Sequence, residues 1–272
     1  MRPLRSVSST VLVALALGFS TGAAPLAQTQ AGAKSLGFQQ LEPGLDFGVA
    51  RFDGPEGAVK VSAVRVNLRS HRVGLAVAGY GENGKTLSEF QRLTAAKAAL
   101  SGGFMTSFLP PIPLGFVKQN GVVINRPAGG DLLTGVLALK NGRPTIKPWS
   151  RFEAAQWDGC LQSGPLLSED GRSALPTSTA LQLSTRNLID KPHVRAAVVL
   201  ADDVFVMLVT EAVSLPALVS FVTREFGPRA SALNLSGANS AGLVVAAGSR
   251  RETAGRGTLS LSNAIIVDGT KR

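Results

Sequence analysis

From residue 59 to residue 68 the chain reads Val-Lys-Val-Ser-Ala-Val-Arg-Val-Asn-Leu, with apolar side chains recurring at nearly every second position. Period two is the spacing of a strand with one face turned to a core. Residues 73–77, just past the His71-Arg72 corner, suggest its hairpin partner. At residue 87 the spacing changes. Leu87, Phe90, Leu93 and Ala98 fall near one face of a helical wheel while Ser88, Glu89 and Arg92 fall on the other, and Thr86 suits the N-cap, so residues 87–99 are expected to form a helix.

The middle of the chain predicts short strands at residues 114–117, 122–125, 132–139 and 145–147, punctuated by the turn pairs Asn120-Gly121 and Asn141-Gly142. Pro110, Pro111 and Pro113 keep the loop before them stiff and non-helical. Gln162-Ser163-Gly164-Pro165 reads as a further loop and Glu169-Asp170-Gly171 as a hairpin tip. Residues 196–200 and 204–210 predict two strands joined at Asp202-Asp203. A helix follows, with Ser214 at its N-cap, Pro216 in its first turn and Gly227-Pro228 as its stop; Leu215, Leu218, Val222 and Phe226 form its apolar stripe. Residues 230–235 return as a strand, completing a strand-helix-strand unit for which a parallel right-handed crossover is the default. The expected fold is therefore α+β: one domain of mixed β-sheets with two main helices and this C-terminal unit.

The N-terminus changes the picture of where the protein works. Arg2 and Arg5 precede the apolar run of residues 10–19, and small residues follow at Gly22, Ala23, Ala24 and Ala27. A run of that length suits a signal peptide and is too short to span a bilayer. Residues 1–27 are read as the signal, 28–40 as a linker and 41–272 as the domain. The expectation is a secreted or periplasmic protein with no membrane-spanning segment after the signal. Subtracting the two leader arginines from 28 basic residues leaves 26 against 18 acids, an excess of +8. That excess is scattered and comes with one tyrosine, which argues against nucleic acid and favours anionic partners such as sugar phosphates or anionic envelope polymers. Cys160 is alone, so no intrachain disulfide forms, and it reads as a buried inert thiol. Two histidines, His71 and His193, leave few ligands for zinc. No cofactor is expected, and a divalent ion held through waters and carbonyls stays open.

Several chemistries fail by inspection. Gly237 and Gly242 are spaced like a phosphate-binding loop, but Leu243 and Val244 stand where it needs Lys and Ser or Thr. No Gly-x-Ser-x-Gly elbow occurs. No two acids share a glycine-rich corner as a glycosidase pair would. What remains is three corners of small polar residues: Ser101-Gly102-Gly103, Gln162-Ser163-Gly164 and residues 236–240. Such corners can be plain turns, or they can aim backbone N–H groups at an anion, to which Arg195 would add a bidentate contact.

These segments resemble those of the phosphodiester glycosidase domain family. Ser101-Gly102-Gly103-Phe104-Met105 is similar to its Asn-Gly-Gly-Phe-Phe type corner, and residues 115–125 (GFVKQNGVVIN) to the hairpin that follows. Gln162-Ser163-Gly164-Pro165-Leu166-Leu167 resembles its Q-S-G-P-x-L segment and His193-Val194-Arg195 the stretch ending in its Arg-Thr. Residues 213–240 resemble its helix and closing A-L-N-L-D-G-G-x-S corner. The likeness runs from about residue 41 to 267. It implies a domain that acts on or binds a sugar joined through a phosphodiester. By position it implies substrate contacts at Ser101, Gly102, Gly103, Gln162, Ser163, Asn234, Gly237 and Ser240, and catalytic candidates at Arg195 and Ser236. Three positions depart from the family: Ser236 stands for Asp, Ser101 for Asn, and Ala196 for the threonine after Arg195. Serine supplies no carboxylate, so Glu211, at the end of the strand before the helix, is the candidate replacement acid, a solvated strand-end acid being the other reading. Two expectations stand side by side: a phosphodiester glycosidase, or a decayed module of the same fold that holds an anionic glycan without turnover. A third, a protein-interaction domain, predicts no saturable sugar phosphate binding.

Overall fold

A computed structural model describes residues 35–79, 83–177 and 181–269. Its widest layer is an eight-stranded sheet ordered Gln39–Glu42, Leu45–Gly54, Gly57–Asn67, Val204–Val213, His193–Ala201, Ser231–Gly237, Leu166–Glu169 and Arg172–Ser173. Its central strands are apolar at consecutive positions because both faces are covered. In Gly57–Asn67, Val61 and Ala63 face one hydrophobic cluster while Val64 and Val66 face another. Phe205 and Met207 likewise oppose Val206 and Leu208 on Val204–Val213.

One face of this sheet carries two helices, α2 (Leu183–Asp190) and α3 (Leu215–Phe226). Leu215, Leu218, Phe221 and Val222 of α3 seal that side, with Phe221 stacked on Phe52 at 4.5 Å between ring centroids. The opposite face packs on two five-stranded sheets. One is ordered Arg143–Pro148, Gly135–Lys140, Gly159–Ser163, Val117–Gln119, Val122–Asn125; the other Arg250–Gly255, Gly242–Ala247, Ala98–Ser101, Asn263–Gly269, His71–Val77. Leucines 100, 137, 161 and 243 reach inward from them into the shared core. Helix α1 (Leu87–Thr94) covers the outside of the second, through Leu87 and Phe90. Helices segregated outside antiparallel sheets make the architecture α+β.

The hairpin at Asp202-Asp203 and helix α3 with its glycine stop stand as the sequence implies, while the strand expected at 114–117 lies at Val117–Gln119 and Gln162-Ser163 close a strand instead of opening a loop. Four further expectations change. Helix α1 ends at Thr94, because Ala95 enters the left-handed region (φ 51°) and turns its N–H back to the carbonyls of Gln91 and Arg92. The alanine-rich stretch after it favours helix locally, yet Ala98–Ser101 pairs as a central strand with residues 243–245 and 264–267. Tertiary pairing overrides propensity there. His71–Val77 pairs with Asn263–Gly269 and not with the preceding strand, which is already flanked on both sides. Among the described residues three helices stand where two main ones were expected. Finally, every strand pair among the described residues is antiparallel: Val204–Val213 and Ser231–Gly237 run in the same direction, but His193–Ala201 lies between them. The tight Asp202-Asp203 hairpin takes the neighbouring position, so α3 crosses over one strand.

The expected signal segment, residues 1–27, lies outside the described residues. The expected linker ends earlier than residue 40. Leu36 is buried in the α3 cluster, Glu225 accepts bonds from Ser35 Oγ and the Leu36 N–H at 2.9 Å, and the first strand starts at Gln39. Cys160 is buried, and desolvation pushes its thiol up to about 11, as an inert core thiol requires.

Candidate functional site

Two irregularities bracket Arg195. Against Val204–Val213 the register steps from His193↔Val213 to Arg195↔Thr210, and against Ser231–Gly237 it steps from Ala197↔Asn234 to Arg195↔Gly237. Each neighbour thus holds one extra residue beside the same point, the signature of a β-bulge, which bends a strand end and re-aims its side chains. Around this point opens a cavity of about 230 Å³ under α2 and the start of α3.

Arg195 is only 3% exposed. Its Nε donates to the Val213 carbonyl at 3.2 Å and its Nη2 to the carbonyls of Leu188 at 2.6 Å and Lys191 at 3.1 Å. Leu188 lies in the last turn of α2 and Lys191 is its C-cap, so the guanidinium caps the negative end of that helix. No carboxylate among the described residues forms an ion pair with it. Burial lowers its pKa to about 10, which leaves it charged at neutral pH. The guanidinium is therefore a desolvated cation steadied by helix carbonyls, with Nη1 making no hydrogen bond among the described residues.

His193, two residues earlier on the same strand, lines the same cavity and is half-buried. Desolvation chiefly, then the charge of Arg195, lowers its pKa, with the Asn187 carbonyl pulling the other way. Asn234 Nδ2 donates to the Gly164 carbonyl at 2.7 Å, while its Oδ1 is buried without a partner. Gly237, Ala238 and Ser240 form the tight turn at the rim, where Ser240 Oγ donates to the Gly237 carbonyl at 2.8 Å. Ala238 sits there at φ 53°, a conformation that costs about 1–2 kcal/mol for a residue with a Cβ.

Other expected site residues are internal ties. Ser236, 2% exposed, shares a 2.8 Å hydroxyl bond with Ser101 in a different sheet, and Ser101 Oγ also accepts from the Gly242 N–H. Ser163 Oγ donates to the Leu235 carbonyl. Gln162 spends its whole amide within the chain, accepting from the N–H groups of Phe116 and Ala128 and donating to the carbonyls of Ala128 and Leu133. Gly102 and Gly103 are wrapped by Asn263, whose Oδ1 accepts from the Gly103 N–H at 2.9 Å; a Cβ on Gly102 would lie 1.8 Å from that oxygen. Each tie brings a neighbour to the cavity: Phe104 and Met105 follow the first corner and Pro165 the second.

Glu211 is not in this cavity. It falls in the bulge of its strand, 55% exposed at the side chain, accepts from the Lys60 N–H at 3.0 Å and lies 4.0 Å from Arg51. It lines a separate opening of about 460 Å³ with Lys60, Thr210 and Arg256. Sequence reasoning in turn missed His193, although it is one of two histidines and shares a strand face with Arg195 at period two. It also missed Asn263, for which no local signal exists. A second cavity of about 340 Å³ adjoins the first, sharing Phe104, Met105, Leu132 and Leu188 and adding Gly129, Gly130, Asp131, Gln182 and Thr185.

Among the described residues no three His, Cys, Asp and Glu side chains gather as a metal centre, and no helix is long and apolar enough to cross a membrane. No curated protein matches the chain. Among solved structures, the catalytic domain of zebrafish N-acetylglucosamine-1-phosphodiester alpha-N-acetylglucosaminidase, auto-inhibited by its pro-peptide, superposes with TM-score 0.65 over 89% of this chain and 88% of its own, at 15% identity. A hypothetical protein from Synechocystis superposes with TM-score 0.66 over 87% of this chain and 64% of its own, also at 15% identity. These likenesses establish a shared fold. The sequence profile of the phosphodiester glycosidases matches residues 94–268, which contain every residue named as lining the Arg195 cavity and the one adjoining it, and the chain belongs to that family.

Proposed function

We propose that this protein is exported and binds a sugar phosphodiester, with the phosphate seated on Arg195 and the ligand held without cleavage by a carboxylate pair. The observation that carries the reading is a buried guanidinium, without a carboxylate partner among the described residues, opening on a cavity. A singly charged phosphodiester would complete that charge in a low-dielectric setting, where a charge-assisted bond from the remaining Nη1 is strong.

Binding is favoured over turnover by the lining. Arg195 and His193 are its ionisable groups, and the first cavity holds no acid, so the two-carboxylate route to glycosidic cleavage lacks its parts. Ser236 and Ser101 satisfy each other below the floor. Export rests on the leader of residues 1–27.

The test is calorimetry of glucose 1-(methyl phosphate) against the leaderless protein and Arg195→Met, beside a hydrolysis assay of an aryl sugar phosphodiester. Saturable binding that needs Arg195, without product release, is the expected result. Turnover lost in Asp131→Asn would overturn the binding-only reading and place the acid in the adjoining cavity. Export is checked separately, by following where the full-length protein accumulates on expression with its leader intact.

A further inference from the structure

Around the Arg195 guanidinium the cavity wall is almost entirely hydrocarbon. Phe104, Met105, Phe108, Leu132, Leu188 and Leu215 surround it, and the polar contribution comes from His193, Asn234 and the turn ending in Ser240. A sugar presents hydroxyls on every edge, and each one left facing hydrocarbon would lose its water without replacement. Sugars on both ester arms would therefore be poorly accommodated. The adjoining cavity is different: it offers Asp131, Gln182, Thr185 and the Gly129-Gly130 backbone to one polar arm.

The rim extends the apolar wall outward. Phe108 is 59% exposed and Leu109 83% on the hairpin that pairs Met105–Phe108 with Pro111–Pro113, while Leu183 is 72% and Leu188 37% exposed on α2. Of eight exposed large apolar side chains among the described residues, these four lie on the two segments that supply Phe108 and Leu188 to the cavity. Clustering of this kind marks a binding surface, where scattered exposure would not.

We infer that the ligand is an amphipathic glycosyl phosphodiester, with its sugar toward the adjoining cavity, its phosphate on Arg195 and an alkyl chain on the other ester arm, lying between Phe108 and Leu188. This rests on the binding of a phosphodiester at Arg195 proposed above. It adds the chemical class of the second arm, and charge and hydrocarbon in one cavity select that class: a neutral alkane leaves the cation unmatched, and an inorganic anion leaves the wall exposed.

The experiment is calorimetry with the methyl, butyl and octyl phosphodiesters of glucose 1-phosphate, each below its micelle concentration, with butyl glucoside as an uncharged control. Full burial of a methylene is worth about fourfold in affinity, and a half-open groove about twofold, so butyl should bind roughly tenfold to sixtyfold tighter than methyl. Phe108→Ser, on an exposed hairpin position where folding is not at stake, should flatten this slope. Methyl and butyl esters binding within twofold of each other, while still requiring the charge, would overturn the apolar arm and leave the phosphodiester reading intact. Equal binding of butyl glucoside, or no binding of any ester, would remove the reading itself. Displacement of the octyl ester by phosphatidylglycerol vesicles would identify a bilayer lipid as the source of the chain, and a chain-length slope without displacement would identify a free ester.

Discussion

Replacing Arg195 by methionine tests whether its buried charge also holds the fold together. The side chain makes three charge-assisted bonds, to Val213, Leu188 and Lys191, two of them longer than 3 Å. Bonds of this type contribute about 1.5–3 kcal/mol each, and the lower end suits the longer two. Against them stands desolvation: a guanidinium pKa brought down to about 10 by burial corresponds to roughly 3 kcal/mol against the charged form. The difference leaves about 1.5–3 kcal/mol of net stabilisation. In a domain of this size that is a fall in Tm of roughly 3–12 °C. Methionine keeps the apolar stem and removes the donors, so α2 loses the cap on its C-terminal carbonyls. Urea unfolding followed by circular dichroism, with thermal melts in parallel, measures the change. Arg195→Lys should fall between the two proteins, because a lysine cannot fork onto three carbonyls. A methionine variant that melts at or above the parent temperature, with an unchanged urea m-value, would refute the reasoning. It would mean that the buried charge costs more than its bonds return, and that the arginine is kept for its ligand alone.

Other expectations follow from the same geometry. Gly102→Ala places a methyl 1.8 Å from Asn263 Oδ1 and 2.9 Å from its main-chain oxygen, so it should cost at least about 1–3 kcal/mol, read from urea unfolding. Asn263→Leu removes the acceptor of the buried Gly103 N–H, at about 1–3 kcal/mol, and hydrogen exchange should speed selectively at Gly103. The depressed pKa of His193 means that the unfolded chain binds its proton first on acidification. Stability should therefore fall as pH drops through about 6.5, levelling once the folded histidine is charged, and His193→Gln should flatten that part of the profile. Glu211→Gln should leave ligand affinity at Arg195 unchanged by calorimetry, since Glu211 faces another opening.

The legible parts of the fold were those that neighbouring residues decide. Thr86 and Glu89 form a reciprocal capping box, Pro216 and Gly227 bound α3, and Asp202 takes the positive φ of a tight turn, all through contacts within a few positions. The end of α1 was not legible, because Ala98–Ser101 is made a strand by partners about 145 and 165 residues away. A still longer separation, about 190 residues, hid the partner of His71–Val77.

The site shows why segments can be read from sequence more securely than side-chain roles. The corner at residues 236–240 lines the cavity, and the other two deliver the residues that follow them, Phe104 and Pro165, to its wall, because a chain bends sharply at the end of a strand where small residues let it, and ends of strands from separate sheets meet there. Which side chain faces the ligand is decided by something finer. An extra residue on either side of Arg195 resets the in-out alternation, sending Glu211 to solvent and leaving Ser236 to the Ser101 hydroxyl, while Arg195 and Asn234 remain on the helix side. A bulge has no composition of its own in either strand, so roles implied by matching segments to the family were carried straight through it. What survives the shift is the arginine, and it does so because two carbonyls at the end of an unforeseen helix hold it in place. The cation and the hydrocarbon around it, more than the serines that stand for the family's acid, then set what the cavity can bind.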